Sequence, residues 1–335
     1  MRGRRLEAWI EPLAFREPLR IAGRTLPGIP GVRVRIVEGQ AAGRGEAGGV
    51  FYLGDGPDAM LAAIEEVRAE IERGLDRGRL QALLPAGGAR NALDAALWEL
   101  EAALAGEPVW RMAGLPQPRP LVTTCTLGAD PPDVLAARLA AFREARAFKL
   151  KLEGDLEADR ERLALIRKAW PDAWLMADGN EGYRADQLEA LFSTLVRFGV
   201  SLLEQPLPRG QDEVLAGCNP PLPVAADESL QGLADLEGLV GRYQVANIKL
   251  DKCGGLTEGL KMVAVARRLG LRLMIGNMGG SSLAAAPAWL LAQVCDYVDL
   301  DGPIFLAADV PGGARYENGL VDMPDDFWGT GSPPD

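Results

Sequence analysis

The stretch AFKLKLEGDLEADRERLALIRKAWPDAWLMAD (147–178) reads as a strand, an amphipathic helix and a second strand. Its opening, AFKLKL, is apolar except for Lys149 and Lys151, whose spacing of two puts both on one face. Neighbouring ammonium groups repel, and a covered face would have to put that strain to use. An exposed edge strand with protective lysines is the simpler reading. The surrounding chain argues against it. From about residue 120 the same rhythm recurs every twenty to thirty residues, with strand candidates LVTTCTL (121–127), AFKLKL (147–152), AWLMAD (173–178) and VSLLEQ (200–205). PVAAD (223–227), QVANIKL (244–250), LRLMIGN (271–277) and DYVDLD (296–301) continue it. Helical patterns such as PDVLAARLAAFREA and TEGLKMVAVARRLG lie between them, the latter stopped by Gly270. Eight consecutive βα units predict an α/β fold, a closed (β/α)8 barrel over 119–302, and a barrel has no edge strands. Residues 1–118 read differently, as an α+β cap with strand-like LEAWIEPL, VRVRIVEG and GGVFYLG and helices near 57–74 and 87–105. The Gly-, Pro- and Asp-rich segment 303–335 cannot build a core alone and is expected to complete that cap.

The chain has 335 residues, 48% hydrophobic and 25% charged, enough for a large core. A net charge of -11 leaves no cationic surplus for phosphates, so no nucleic-acid partner is expected. The start, MRGRRLEAWIEPL, lacks an apolar core of signal length, and nowhere do eighteen uncharged apolar residues run together, so a cytoplasmic protein with no membrane partner is expected. Cys125, Cys218, Cys253 and Cys295 show no metal or redox spacing. There are no histidines. Acid–base chemistry must therefore use lysine, carboxylate, tyrosine or cysteine.

In such barrels chemistry collects at the C-terminal strand ends. Those ends carry Lys149 and Lys151, Asp178, Glu204, Asp227, Lys249, Asn277, then Asp299 and Asp301. From Lys151 to Asp178, Glu204, Asp227 and Lys249 the steps are 27, 26, 23 and 22 residues, one unit each. Taken singly, Asp178 is a turn residue, Asp227 a helix cap and Glu204 an ion-pair partner. Together, on neighbouring strands, they form an oxygen set suited to Mg²⁺. Lys151 and Lys249, on the second and sixth strands, face each other across the axis. A carbon acid held between them can lose a proton to one amine and regain it from the other, which inverts a stereocentre. Mg²⁺ can stabilise the enediolate by charge. A lysine base must then titrate well below its usual range, and Lys149 is expected to depress Lys151.

Lys149-Leu-Lys151, Asp178-Gly-Asn180, Leu203-Glu204-Gln205-Pro206, Ala226-Asp227-Glu228-Ser229 and NIKLDKCGGLTEGL (247–260) resemble the muconate-lactonising-enzyme subgroup of the enolase superfamily. The likeness extends to the cap motif GARNALDAALWELEAALAG. It implies an α+β capping domain on a modified TIM barrel, one Mg²⁺ per subunit on Asp178, Glu204 and Asp227, and Lys151 and Lys249 as opposed bases with Lys149 beside them. Asp299-Leu300-Asp301 resembles the motif by which dipeptide epimerases hold the substrate's α-amino group. Arg24 matches an arginine that binds a glutamate side chain in L-Ala-D/L-Glu epimerases, and Thr126 matches a threonine of the first strand. Asn277 and Met278 belong to a substrate-facing segment, GNMGGSSL (276–283), which departs from the Cys-Met segment of the Ala-Glu enzymes. The resemblance thus implies a dipeptide epimerase acting on L-Ala-D-Glu and L-Ala-L-Glu from murein peptides, with a homo-oligomeric assembly expected. The alternatives are an N-acylamino-acid racemase or o-succinylbenzoate synthase on the same scaffold, a Schiff-base aldolase, or a non-catalytic barrel.

Overall fold

The strand Ala147–Lys151 is buried at every position. Phe148 packs edge-on against Trp170 of the following helix segment, on the outer side, while Lys149 and Lys151 point the other way. A strand buried on both faces belongs in a barrel wall, and in the computed structural model, which describes residues 3–21 and 24–332, it is the second of eight parallel strands. The eight are Thr124–Leu127, Ala147–Lys151, Trp174–Asp178, Leu202–Glu204, Val224–Ala226, Val245–Lys249, Arg272–Gly276 and Tyr297–Val298, hydrogen-bonded in chain order. Met176, Leu202, Ala225, Val245 and Met274 fill the lumen below the site. Side chains and backbone amides close the seam between the eighth strand and the first. Thr124 donates its hydroxyl to Asp299 Oδ1 at 2.6 Å, the Thr126 amide reaches Asp301 Oδ2 at 2.6 Å, and the Leu300 amide reaches Thr123 Oγ1 at 2.9 Å.

The barrel departs from eight regular units. After the fourth strand there is only a 3-10 segment, Asp212–Gly217, and after the fifth a four-residue helix, Leu236–Leu239. Leu121–Val122 leaves the barrel to pair with Leu320–Asp322.

The cap holds the antiparallel sheet Arg4–Glu11, Gly31–Glu38 and Ala41–Ala47 under helices Pro57–Glu72, Arg77–Leu83 and Gly88–Ala105. GGVFYLG, expected as a strand, is instead a loop with one 3-10 turn at Phe51–Leu53, and the strand lies earlier in AAGRGEA. Two glycines disguise that strand. They are there because the helix Gly88–Ala105 lies directly on it: a Cβ at Gly43 would sit 1.9 Å from the Ala96 carbonyl oxygen, and one at Gly45 2.0 Å from that of Ala92.

The same helix ties cap to barrel, since Arg90 donates to the carbonyls of Cys253 and Gly254, at 2.6 and 3.2 Å. The chain after the barrel returns to the cap, where Trp328 donates to the Arg44 carbonyl at 3.0 Å. A hairpin, Ala14–Ile21 with Arg24–Gly28, covers the strand ends and packs Phe15, Leu26 and Ile29 against Phe305 and Leu306. No helix among the described residues is long and apolar enough to cross a membrane.

Candidate active site

Parallel register places the chemistry. Lys151 pairs with Asp178, and Asp178 with Glu204, so each strand delivers its charged residue at the same level. Asp178, Glu204 and Asp227 are 0, 0 and 2% exposed, with ligand oxygens within 4.8 Å of one another. Lys149, Lys151 and Lys249 are 2, 8 and 7% exposed and line one cavity with Asp227, Asp299 and Asp301.

One oxygen relieves the repulsion between the two lysines of AFKLKL. Asp178 Oδ2 lies 2.6 Å from Lys151 Nζ and 3.2 Å from Lys149 Nζ. Lys149 also reaches Glu204 Oε2 at 2.7 Å and Asp299 Oδ2 at 2.9 Å. On the far side, Lys249 Nζ lies 2.7 Å from Asp227 Oδ2. Burial works against the charge of Lys149, yet Asp299, Glu204 and Asp178 hold it well above the usual lysine range. Lys249 is likewise raised, by Asp227 against burial. For Lys249 this runs opposite to the lowering expected of a lysine base: the carboxylate in direct contact outweighs burial and the neighbouring ammonium group.

The carboxyls divide. Burial pushes Asp227 up, but Lys249 and Lys252 hold it well below the usual range, and against burial Lys151 and Lys149 lower Asp178. Burial and then Asp178 push Glu204 up to about 7; burial and then Asp299 push Asp301 up to about 7; burial and then Asp227 push Glu228 up to about 8. Four ammonium groups, those of Lys149, Lys151, Lys249 and Lys252, thus face six carboxyls, Asp178, Glu204, Asp227, Glu228, Asp299 and Asp301. Were all six ionised, four against six would leave a deficit of two positive charges, and the shortfall shows as the raised Glu204, Asp301 and Glu228. Among the described residues, Glu204 Oε2 accepts no hydrogen bond of good geometry although Lys149 stands beside it. Three hard oxygen donors, carboxyls raised for want of positive charge and one buried oxygen without a hydrogen bond of good geometry fit a divalent cation.

Of the other expected residues, Asp299 accepts from both Thr124 and Lys149, whereas Asp301 accepts the Thr126 amide on Oδ2 and a hydrogen bond from the Thr126 side chain. Thr126, Asn277 and Met278 line the cavity. Asn277 also braces its own turn, donating to the Asp299 carbonyl at 2.7 Å and accepting from the Gly279 amide at 2.8 Å. Arg24 begins a hairpin strand, but its side chain lies outside the described residues. Residues not foreseen include the apolar roof of Phe15, Leu26, Ile29, Phe51 and Phe305, and Asn247 and Lys252 beneath the carboxylates. Asn247 had a signal: two residues before Lys249 on the same strand, it faces the same lumen.

The family described as "Enolase C-terminal domain-like" matches residues 134–334. The chain is 39% identical over 292 residues to the L-Ala-D/L-Glu epimerase of Escherichia coli (strain K12), covering 87% of this chain and 91% of that one. The chain belongs to the dipeptide epimerases of the enolase superfamily. Its reaction class is therefore isomerisation. Two solved structures match this epimerase across nearly its whole length. An enolase family member from Agrobacterium tumefaciens, with bound sodium and L-Ala-L-Glu, superposes with a TM-score of 0.92 at 38% identity, covering 97% of this chain and 100% of that one. The dipeptide epimerase of Methylococcus capsulatus, complexed with Mg and L-Arg-D-Lys, gives 0.89 at 32% identity, covering 97% and 98%.

Proposed function

We propose that the enzyme epimerises dipeptides at the α-carbon of the C-terminal residue by two-base 1,1-proton transfer, with L-Ala-D-Glu and L-Ala-L-Glu as substrates and one Mg²⁺ per subunit. The observation that carries this is a single cavity lined by Lys151 and Lys249, with Asp178, Glu204 and Asp227 gathered between them. Asp178, Glu204 and Asp227 hold the cation, which supplies positive charge against the enediolate that forms when the α-proton leaves. The acceptor must be a neutral amine, a form the charge of a bound cation would favour: neutral Lys151 takes the proton from one face and the ammonium group of Lys249 returns one to the other, or the reverse for the opposite epimer. Lys149, the ammonium group in contact with both Asp178 and Glu204, supports the developing negative charge. Asp301, which lines the cavity, takes the substrate's free ammonium group, and Asp299 anchors the Lys149 end of the same wall. The cap hairpin and the Phe51 turn exclude water above the substrate.

A dipeptide library incubated with enzyme and Mg²⁺ in D₂O tests this, read by mass increase. L-Ala-D-Glu and L-Ala-L-Glu should gain one deuteron each, N-acetylated copies none; a library with no deuterium gain ends the proposal. A second reading, dipeptides with apolar C-terminal side chains, is supported by the roof of Phe15, Leu26, Ile29, Phe51 and Phe305. It prevails if L-Ala-L-Leu or L-Ala-L-Phe exchanges faster than the glutamyl pair.

Asp301 sets an expected pH dependence. Held at about 7 by burial and Asp299, it is protonated below that pH and loses its charge for the ammonium group. KM should rise as pH falls below about 7, by up to about tenfold per pH unit, with kcat changing less. The stability contribution has the opposite sign. Between about 4 and about 7 the folded carboxyl keeps a proton that the unfolded one has lost, so this group's contribution falls as pH rises through the window. Asp301→Asn should remove both slopes, as steady-state kinetics and thermal melts across that range will measure.

A further inference from the structure

Each of the three carboxylates gathered at the centre of the barrel has one oxygen fixed by a donor that is not a catalytic lysine. The Asn180 amide holds Asp178 Oδ1 at 2.9 Å. Asn247 Nδ2 holds Glu204 Oε1 at 2.8 Å. Lys252 Nζ holds Asp227 Oδ1 at 2.6 Å. Among the described residues, the other oxygens, Asp178 Oδ2, Glu204 Oε2 and Asp227 Oδ2, meet only Lys149, Lys151 and Lys249. The division holds for all three residues, although the donors are a backbone amide, a side-chain amide and an ammonium group.

Two of these donors are buried polar side chains with no other evident purpose. Asn247 is 0% exposed. Its Oδ1 has no partner among the described residues, and a Cβ at Gly276 would stand 2.8 Å from that oxygen. An asparagine that bonds through one end only, in a space kept open by a glycine, is held there for the bond it makes. Lys252 is 3% exposed and directs its ammonium group at Asp227 Oδ1, the Asp227 carbonyl at 2.6 Å and the Asn247 carbonyl at 3.4 Å. It sits in the short helix Leu250–Cys253 directly after the strand that carries Lys249, so it approaches Asp227 from behind while Lys249 approaches from the cavity.

We propose that Asn247 and Lys252 are positioning residues that select the metal: by occupying one oxygen each of Glu204 and Asp227, they leave these ligands a single oxygen to offer. Single-oxygen carboxylates suit Mg²⁺, which demands a compact octahedral shell, whereas Ca²⁺ accepts carboxylates through both oxygens in a larger and looser one. Freeing the second oxygen should therefore cost Mg²⁺ binding more than Ca²⁺ binding. Orientation by such outer partners typically changes metal affinity about 10- to 100-fold. The inference rests on the reading that these carboxylates bind Mg²⁺, but not on the substrate.

The test is calorimetric titration of the substrate-free enzyme with Mg²⁺ alone and Ca²⁺ alone, for wild type, Lys252→Met, Lys252→Arg and Asn247→Leu. Folding is checked by circular dichroism, and Lys252→Gln replaces Lys252→Met if that variant does not fold. Asn247→Leu should weaken Mg²⁺ by about 10- to 100-fold, and both it and Lys252→Met, which also removes a repelling cation from Asp227, should lower the preference for Mg²⁺ over Ca²⁺ by at least about tenfold. Lys252→Arg, which keeps a donor on Asp227, should recover most of the preference. A general loosening of the fold would weaken both ions alike. Folded Lys252→Met and Asn247→Leu with a preference within about twofold of wild type would overturn the proposal, as would equal weakening of both ions. Wild type that takes up no Mg²⁺ defeats this inference and the proposed function together. Wild type that binds Mg²⁺ but exchanges no dipeptide defeats the proposed function alone.

Discussion

Lys249→Ala abolishes epimerisation, by at least about 10³-fold, while the α-proton of one epimer still exchanges with solvent; Lys151→Ala does the same for the other epimer. The expectation follows from the placement of the two amines. Lys151 leaves the second strand beside Asp178, and Lys249 leaves the sixth beside Asp227. Each can reach only the face of the α-carbon turned towards it. Removing one therefore blocks inversion, which needs both faces, without blocking deprotonation on the remaining face. Metal binding should survive, because neither amine holds the second oxygens of the ligands. Losing Lys249 removes a cation from Asp227 Oδ2 and should tighten Mg²⁺. The measurement is proton NMR of each pure epimer with each variant in D₂O. Exchange lost from both epimers in a single variant would mean that one lysine serves both faces, and the two-base scheme would fail.

The barrel was legible in the sequence because its strands are buried on both faces and read as apolar runs, broken only where a charged residue faces the lumen. That is why Lys149, Lys151, Asp178, Glu204, Asp227 and Lys249 stood out one unit apart. The strand Ala41–Ala47 was not legible, because it is built for close approach of a helix: Gly43 and Gly45 break the apolar alternation that would have revealed it. The ion pairs of the lysines were not legible for a different reason. Spacing along a strand exposes like-charge neighbours such as Lys149 and Lys151, but the oxygens that neutralise them arrive from three other strands, as Asp178, Glu204 and Asp299 do here. Lys252 escaped notice because it lies off the strand, one helical turn past Lys249, and shares no period with the rim. The apolar roof is drawn from the cap hairpin, the Phe51 turn and the segment after the eighth strand, a convergence no local pattern records.

Lys149→Met should destabilise the metal-free protein by about 3 to 5 kcal/mol, and Mg²⁺ should recover much of that loss. Lys149 is 2% exposed and, among the described residues, is the one cation within 3.2 Å of Asp178, Glu204 and Asp299 together. Methionine nearly preserves its volume, so packing changes little and the cost comes from leaving buried carboxylates without a partner. Glu204, already raised to about 7 by burial and Asp178, would be driven further up and take a proton; Asp178, still paired with Lys151, would stay ionised. For a chain of this size each kcal/mol moves the melting temperature by roughly 2 °C, so the fall should be of order 6 to 10 °C in EDTA. Mg²⁺ competes with Lys149 for Glu204 Oε2 and Asp178 Oδ2, so its binding energy is larger once the lysine is gone. By linkage, the stabilisation by saturating Mg²⁺ must then be larger in the variant than in wild type. Asp299 is outside the cation's reach in this scheme, and the part of the deficit it causes should persist. Thermal melts of both proteins in EDTA and in excess Mg²⁺ give four temperatures. If the variant lies below wild type by the same interval in both buffers, Lys149 and Mg²⁺ do not share those oxygens, and the cation is held elsewhere.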